Sequence, residues 1–110
     1  MTTFGHVIRQ ARMNIGYSQR KLATLVEVDF TYLSKLESDS TEYPPKEYVV
    51  QQLAHYLGLD RDELMCLTGR LPEHYQDFLK QNYKVMPALF RWMRQEPDFV
   101  IKVNNSTQVP

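Results

Sequence analysis

The chain has 110 residues, with 13 basic and 13 acidic side chains and a formal net charge of zero. That balance excludes a polybasic, non-specific nucleic-acid binder, and no apolar run approaches a membrane span. A hydrophobic content of 43% can support a core, and the length suits one domain with an extension.

The charge is unevenly spread. Residues 1–38 carry five basic against three acidic side chains, residues 39–69 two against six, and residues 70–110 six against four. The first part is mildly positive and the middle negative, a pattern that suits docking on DNA through one face rather than through bulk charge. Cys66 is the single cysteine. No intrachain disulfide can form, and its place between Met65 and Leu67 predicts a buried structural thiol. Polar Thr2-Thr3 at the start gives no signal-peptide pattern, so a cytoplasmic setting is expected.

Phe4, Val7, Ile8, Ala11 and Ile15 recur at the spacing of an amphipathic helix, capped by Thr2 or Thr3 and ended by Gly16. Ser18 is an N-cap for a second helix, with Leu22, Ala23 and Val26 on one face. Val28 plugs the turn that follows. Asp29 caps a third helix, with Leu33 and Leu36 as its buried stripe. That leaves Phe30, Thr31, Ser34 and Lys35 facing outward near its N-terminus. Ser38 to Pro45 is a polar loop. Helix four starts near Pro45 and buries Val49, Val50, Leu53, Ala54 and Leu57 before Gly58 ends it, with His55 and Tyr56 on a partly exposed side. Asp60 and Glu63 have capping-box spacing for a fifth helix, with Leu64, Met65 and Leu67 inward.

Gly69 closes this part, and the extension begins at residue 70. Pro72 opens an amphipathic stretch with Tyr75, Phe78 and Leu79 on one side. Pro87 opens another with Leu89, Phe90 and Met93 together and Trp92 on a different face. Glu96-Pro97 breaks it. Phe99 to Val103 (FVIKV) reads as a short strand, and Asn104 to Ser106 as turn or tail residues.

Two short helices around a tight turn, the second with its N-terminal residues free, are what a helix-turn-helix sets into the major groove. The chain resembles the lambda-repressor-like, or XRE-type, helix-turn-helix DNA-binding domains. The matching residues are Gln19 after Ser18, Leu22-Ala23, Val28, Leu33, Leu36-Glu37, Pro44-Pro45, and the Leu53-Ala54 and Leu57-Gly58 run, over roughly residues 4 to 68. One departure stands out: Glu27 occupies a turn position where that family usually has glycine. A left-handed backbone there should cost about 1 kcal/mol.

The resemblance implies roles for single residues. Phe30, Thr31 and Lys35 stand at positions that face base edges; Lys35 could donate to guanine, and Phe30 or the Thr31 methyl could touch a thymine methyl. Gln19 should bond a phosphate while bracing helix three, with Ser18 and Arg20 as weaker phosphate contacts. Ser38 and Lys46 are the loop's phosphate contacts, although Asp39 and Glu42 argue against the whole loop touching DNA. Asp29 is either a cap or an acceptor for a cytosine amino group, the cap being preferred. Arg12 is expected to pair with Glu37 and so tie helix one to helix three. Tyr32 and Tyr48 are as readily packing residues as DNA contacts.

His6, His55 and His74 share no metal-ligand spacing with one another or with Cys66, so no metal is expected. No nucleophile motif or glycine-rich phosphate loop is present. No cofactor and no enzymatic activity are expected. The aromatic set Tyr75, Phe78, Tyr83, Phe90 and Trp92 could form a ligand pocket, a core or an oligomer interface, the last being favoured. The expectation is therefore an all-α protein: a five-helix domain over residues 1–69 and a helical extension over 70–110. It would act as a homodimeric transcriptional regulator on a palindromic operator, a repressor because helix two carries Arg20 and Lys21 rather than an acidic patch. The setting would be the cytoplasm of a prokaryote or phage. An antitoxin-type or restriction-modification controller is an alternative, as is a protein-interaction adaptor that has lost DNA binding. For the extension, Tyr75, Phe78, Leu79, Phe90 and Met93 are the expected dimer anchors, with the strand pairing across the two-fold axis.

Overall fold

A computed structural model of the chain describes residues 1–106. The last four positions of the expected extension lie outside the described residues. All described regular structure is helical, and the chain divides into two compact units, the first ending at Pro72 and the second beginning at Glu73.

The first unit holds five helices: α1 (Phe4–Ile15), α2 (Gln19–Val26), α3 (Phe30–Glu37), α4 (Glu47–Leu57) and α5 (Arg61–Cys66). Their ends follow from side-chain chemistry. Thr3 accepts from the His6 N–H, Ser18 from Lys21, Asp29 from Thr31 and Asp60 from Glu63, each satisfying a donor that a helix start leaves unpaired. Gly16 and Gly58 end α1 and α4 in the left-handed region, at φ 94° and 66°. Glu27 ends α2 in the same region at φ 59°, the strained turn expected of it. Lys46 takes the N-cap of α4 without a side-chain bond. Pro45 therefore lies just before the cap, not in the first turn.

The apolar stripes meet in one core. Ile8, Leu22, Leu33, Leu36, Val50, Leu53 and Leu64 are fully buried, and Phe4, Ala23, Val26, Val49, Ala54, Leu57 and Met65 complete the cluster. Each such side chain contributes about 1.5–3 kcal/mol over its exposed state. Val7, Ala11, Val28 and Tyr56 pack partly against it. Three expected core residues stand outside. Ile15 is 46% exposed because it is the last residue of α1, past the reach of α3 and α4. Cys66 is exposed rather than buried, and Leu67 is 37% exposed. The six-residue α5 turns inward only with Leu64 and Met65. After Gly69, Arg70 donates to the Pro45 carbonyl and to Thr68, and Pro72 is buried. These bonds carry the first unit three residues past Gly69.

The second unit begins with a single 3₁₀ turn, Glu73–Tyr75, and continues as α6 (Gln76–Gln81), α7 (Val85–Gln95) and α8 (Pro97–Asn105). Asn82 ends α6 and returns its side-chain amide to the Phe78 carbonyl. α7 starts two residues before Pro87, which is tolerated because the first turn of a helix has unpaired N–H groups in any case. The expected FVIKV strand is instead the body of α8. Pro97 at the first helical position presets φ, Asp98 and Lys102 complement the helix dipole, and no strand among the described residues offers a pairing edge. A helix satisfies its backbone alone, so the β-branched residues follow it. Asn104 and Asn105 belong to the same helix. Trp92 stacks on Phe99, with ring centroids 4.4 Å apart and planes 24° apart, joining α7 to α8.

Candidate nucleic-acid interface

α3 is the helix the first unit presents. Its inner side is fixed by Leu33 and Leu36, and its C-terminal residue Glu37 is the buried charged residue of the core. Thr31 and Lys35 on the outer side are exposed, and Ser34 is half-buried. Phe30 is not fully outward. It packs partly against the core, and the Arg20 guanidinium lies 4.5 Å from its ring centroid. Only part of that ring remains for another surface, and Arg20 is drawn from α2 toward the start of α3.

Glu37 gathers a network from three elements. Arg12 Nε donates to its Oε2 at 2.8 Å and Arg12 Nη2 to its Oε1 at 3.0 Å. Gln19 Nε2 donates to Oε1 at 3.0 Å, and Arg12 Nη1 donates to the Tyr17 carbonyl at 2.9 Å. The planar fork of arginine matches both carboxylate oxygens, which lets the charges lie 12% and 2% exposed without an orphan. The last turn of α1, the start of α2 and the end of α3 are thereby held to one another.

On the solvent side of this network lies an open concavity of about 550 Å³, lined by Arg9, Arg12, Ser18, Gln19, Ser34, Glu37 and Ser38. Its floor is the Arg12–Glu37 pair. Its rim holds the start of α2, where Ser18 Oγ takes the Lys21 N–H, together with an exposed arginine and several polar side chains. Gln19 has one amide hydrogen committed to Glu37, which leaves the second for another acceptor. Arg9 and Ser34 went unassigned at the sequence level. Arg9 differs from a solvated arginine only by lying one turn before Arg12 on α1, and periodicity from Arg12 could have found it.

The loop after α3 is more tied than its polar sequence suggests. Ser38 Oγ lies 2.7 Å from Ser40 Oγ and donates to the Lys35 carbonyl. Lys46 is exposed at the start of α4. Asp29 is spent on its cap, accepting from the Thr31 N–H at 2.9 Å. Tyr32 is a packing residue. Burial raises its phenol pKa above the usual 10.0, neighbouring Tyr48 raises it further, and Arg70 opposes the shift. It stays a neutral hydrogen-bonding group near neutrality.

Among the described residues no His, Cys, Asp and Glu cluster could hold a metal ion, and no helix is long and apolar enough to cross a membrane. In the second unit, Tyr75, Phe78 and Phe90 are exposed, while Leu79 and Met93 are half-buried. Tyr83, Val85, Trp92, Val100, Ile101 and Val103 add to the exposed apolar surface there.

The arrangement of the helices recurs in known structures. The chain is similar to a protein in the SinR protein/SinI protein complex, with 19% identity and a TM-score of 0.54, over 91% of this chain and 99% of that one. It is also similar to the clp gene regulator ClgR of Corynebacterium glutamicum, with 19% identity and a TM-score of 0.51, over 86% of this chain and 90% of that one. At these identities the likeness concerns the fold. No curated protein matches the chain in sequence. A family model described as a helix-turn-helix domain matches residues 5–70. That span takes in all five helices of the first unit but for Phe4, and the chain belongs to this XRE-like, lambda-repressor-type helix-turn-helix family.

Proposed function

We propose that the chain is a sequence-specific DNA-binding transcriptional regulator, acting as a repressor on a palindromic operator as a homodimer. The observation that carries this reading is the exposed Thr31–Lys35 face of α3, set beside the polar concavity at the start of α2. Thr31 and Lys35 read base edges, Lys35 by donating to guanine O6 or N7. Phe30 contributes the free part of its ring against a thymine methyl. Gln19 and Ser18 take phosphate oxygens at the concavity, with Arg9 beside them, and Arg20 takes one from its place over the Phe30 ring. Ser38 and Lys46 extend that contact along the backbone. Phosphate contacts fix the register and base contacts give the sequence preference.

A single α3 reads half of a site. Two copies place two recognition helices about 34 Å apart on one side of the duplex. The second unit supplies the joint, through Tyr75, Phe78, Leu79, Phe90 and Met93. Its apolar surface, most of it exposed among the described residues, supports this. Repression rather than activation fits the charge of α2, where Arg20 and Lys21 leave no acidic patch for recruiting a polymerase. The same apolar surface supports a second reading, that the unit also takes a different protein, as in an antitoxin-type controller. The SinR structure is a complex with SinI.

The test is selection from a random duplex pool with the full chain, followed by sedimentation of the recovered complex. An inverted repeat bound by two copies is the expected result. Recovery of no preferred sequence would defeat the reading in favour of an adaptor without DNA binding.

A further inference from the structure

The turn after α3 contains a second left-handed residue that is not glycine, and this one is held from outside its own helix. α3 ends in a Schellman motif: the Asp39 N–H donates to the Leu36 carbonyl at 3.2 Å and the Ser40 N–H to the Lys35 carbonyl at 2.9 Å, with Asp39 at φ 54°. An aspartate in this region is strained. Its carboxylate, however, reaches 34 to 36 residues back along the chain. Oδ1 accepts from the Gly5 N–H at 2.9 Å and Oδ2 from Thr3 Oγ1 at 2.7 Å. Thr3 is at the same time the N-cap of α1, so one hydroxyl serves both helices. A carboxylate at the first turn of α1 also meets the positive end of its dipole.

The approach is closer than any side chain at position 5 allows. A Cβ on Gly5 would lie 2.5 Å from the Leu36 carbonyl oxygen, 2.6 Å from that of Glu37 and 2.8 Å from Asp39 Oδ1. Two of these atoms are backbone and cannot swing aside. Gly5 is buried inside the first turn of α1, where glycine weakens a helix by about 0.5–1 kcal/mol. The gain is contact between the start of α1 and the end of α3.

We propose that Thr3, Gly5 and Asp39 form a clamp that positions the recognition helix and its following loop for DNA. The clamp acts through Lys35. Its carbonyl accepts from the Ser40 N–H, and the Ser38 and Ser40 hydroxyls bond it as well. Holding Asp39 therefore holds the turn that carries the base-reading side chain and the loop serines. The Arg12–Glu37–Gln19 network fixes the same helix end from the side of α2. Asp39, whose charge argues against DNA, is turned to work within the protein. This inference rests on the DNA-binding reading above. Thr3, Gly5 and Asp39 are positioning residues; none needs to touch DNA.

The test uses the full chain and a labelled duplex recovered by the wild type from the random pool, with a scrambled duplex as control. Asp39→Gly keeps the left-handed backbone, which glycine adopts freely, and removes both carboxylate bonds. Thr3→Val removes the hydroxyl's bond to Asp39 and its cap on the His6 N–H, with no change in charge. Binding is measured at a temperature where every variant is fully folded by circular dichroism. Asp39→Gly should raise Kd by about threefold to tenfold on the recovered duplex, as loss of one or two hydrogen bonds allows. The scrambled duplex, which makes no base-specific contacts, should change less, so the preference ratio should fall. Thr3→Val should do part of the same, and the double variant should be no worse than Asp39→Gly. Loss of a negative charge near a polyanion would by itself tighten binding, so weakening is a result that charge alone does not give. Unchanged or tighter binding in folded Asp39→Gly overturns the clamp and leaves the DNA reading intact. A wild type that binds no duplex overturns both.

Discussion

The two units use apolar side chains in opposite ways. From Phe4 to Met65 the aliphatic residues of five helices close on one another, and seven of them are fully buried. From Glu73 onward no described residue is buried, although α7 is at least as apolar along one face as α1. The difference is one of geometry rather than composition. Five helices around a common centre can cover one another's stripes. A six-residue α6 and two helices joined at Glu96 cannot. The first unit is a fold with its own core, and the second carries its stripes to a surface, where a second chain can complete them.

The largest expected effect lies in the first unit. Glu37→Ala strands the Arg12 guanidinium beneath the surface and frees Gln19. Thermal or denaturant unfolding should show a loss of about 3–5 kcal/mol, typical of breaking a buried pair from one side. A loss below 1 kcal/mol would mean that water already reaches the pair and that the core does not include it.

Ending the chain after Pro72 puts the contrast itself at risk. The core and the Arg70 bonds all lie before the cut. The main unfolding transition should therefore persist, while sedimentation shows a monomer. Binding to a paired operator should weaken about 100-fold or more, since the second half-site is then no longer tethered. A truncated chain that stays dimeric would place the joint in the first unit, and one that unfolds would give the second unit a share in the core.

Within the first unit the proposed site divides into reading and holding. Lys35→Ala should cost about 1–3 kcal/mol and relax preference at one position of each half-site. Gln19→Ala should weaken every site about equally, by roughly 0.5–1.5 kcal/mol. It should also lower stability, because it removes the 3.0 Å bond to Glu37. Competition between two duplexes separates the two roles. A changed base preference in Gln19→Ala with affinity kept would assign it to reading.

The sequence made the first unit legible because each of its helices announces at least one end: Thr3 and Gly16 for α1, Ser18 for α2, Asp29 for α3, Gly58 for α4 and Asp60 for α5. The caps agree with the periodicity, so register and core follow together. Where the signals conflicted, the sequence misled. FVIKV is β-branched, but Pro97 starts a helix and no edge among the described residues accepts a strand. Cys66 and Leu67 are apolar, but α5 is too short to turn them inward. Phe30 sits on the outer side by count, yet its size and the Arg20 contact pull it half into the core. The clamp at Gly5 and Asp39 was invisible because it joins residues 34 apart, and nothing local marks a glycine as a place of close approach.

The smallest effect compares two residues with nearly the same backbone. Glu27 and Asp39 both lie in the left-handed region, at φ 59° and 54°. Glu27 ends α2 with its N–H on the Ala23 and Thr24 carbonyls, bonds that any residue can make. Asp39 adds two bonds from its side chain to Thr3 and Gly5. Glu27→Gly relieves the strain and loses no bond described for its side chain. It should raise stability by about 0.5–1 kcal/mol, the strain relieved less the extra freedom of glycine in the unfolded chain. Asp39→Gly relieves the same strain but gives up both side-chain bonds, about 0.5–1.5 kcal/mol each. Its net change should be zero or a loss. Denaturant midpoints of the two variants, measured side by side, check this. Equal gains would mean that the Asp39 carboxylate contributes nothing to the fold, and the contrast between a merely strained turn and a clamped one would go with it.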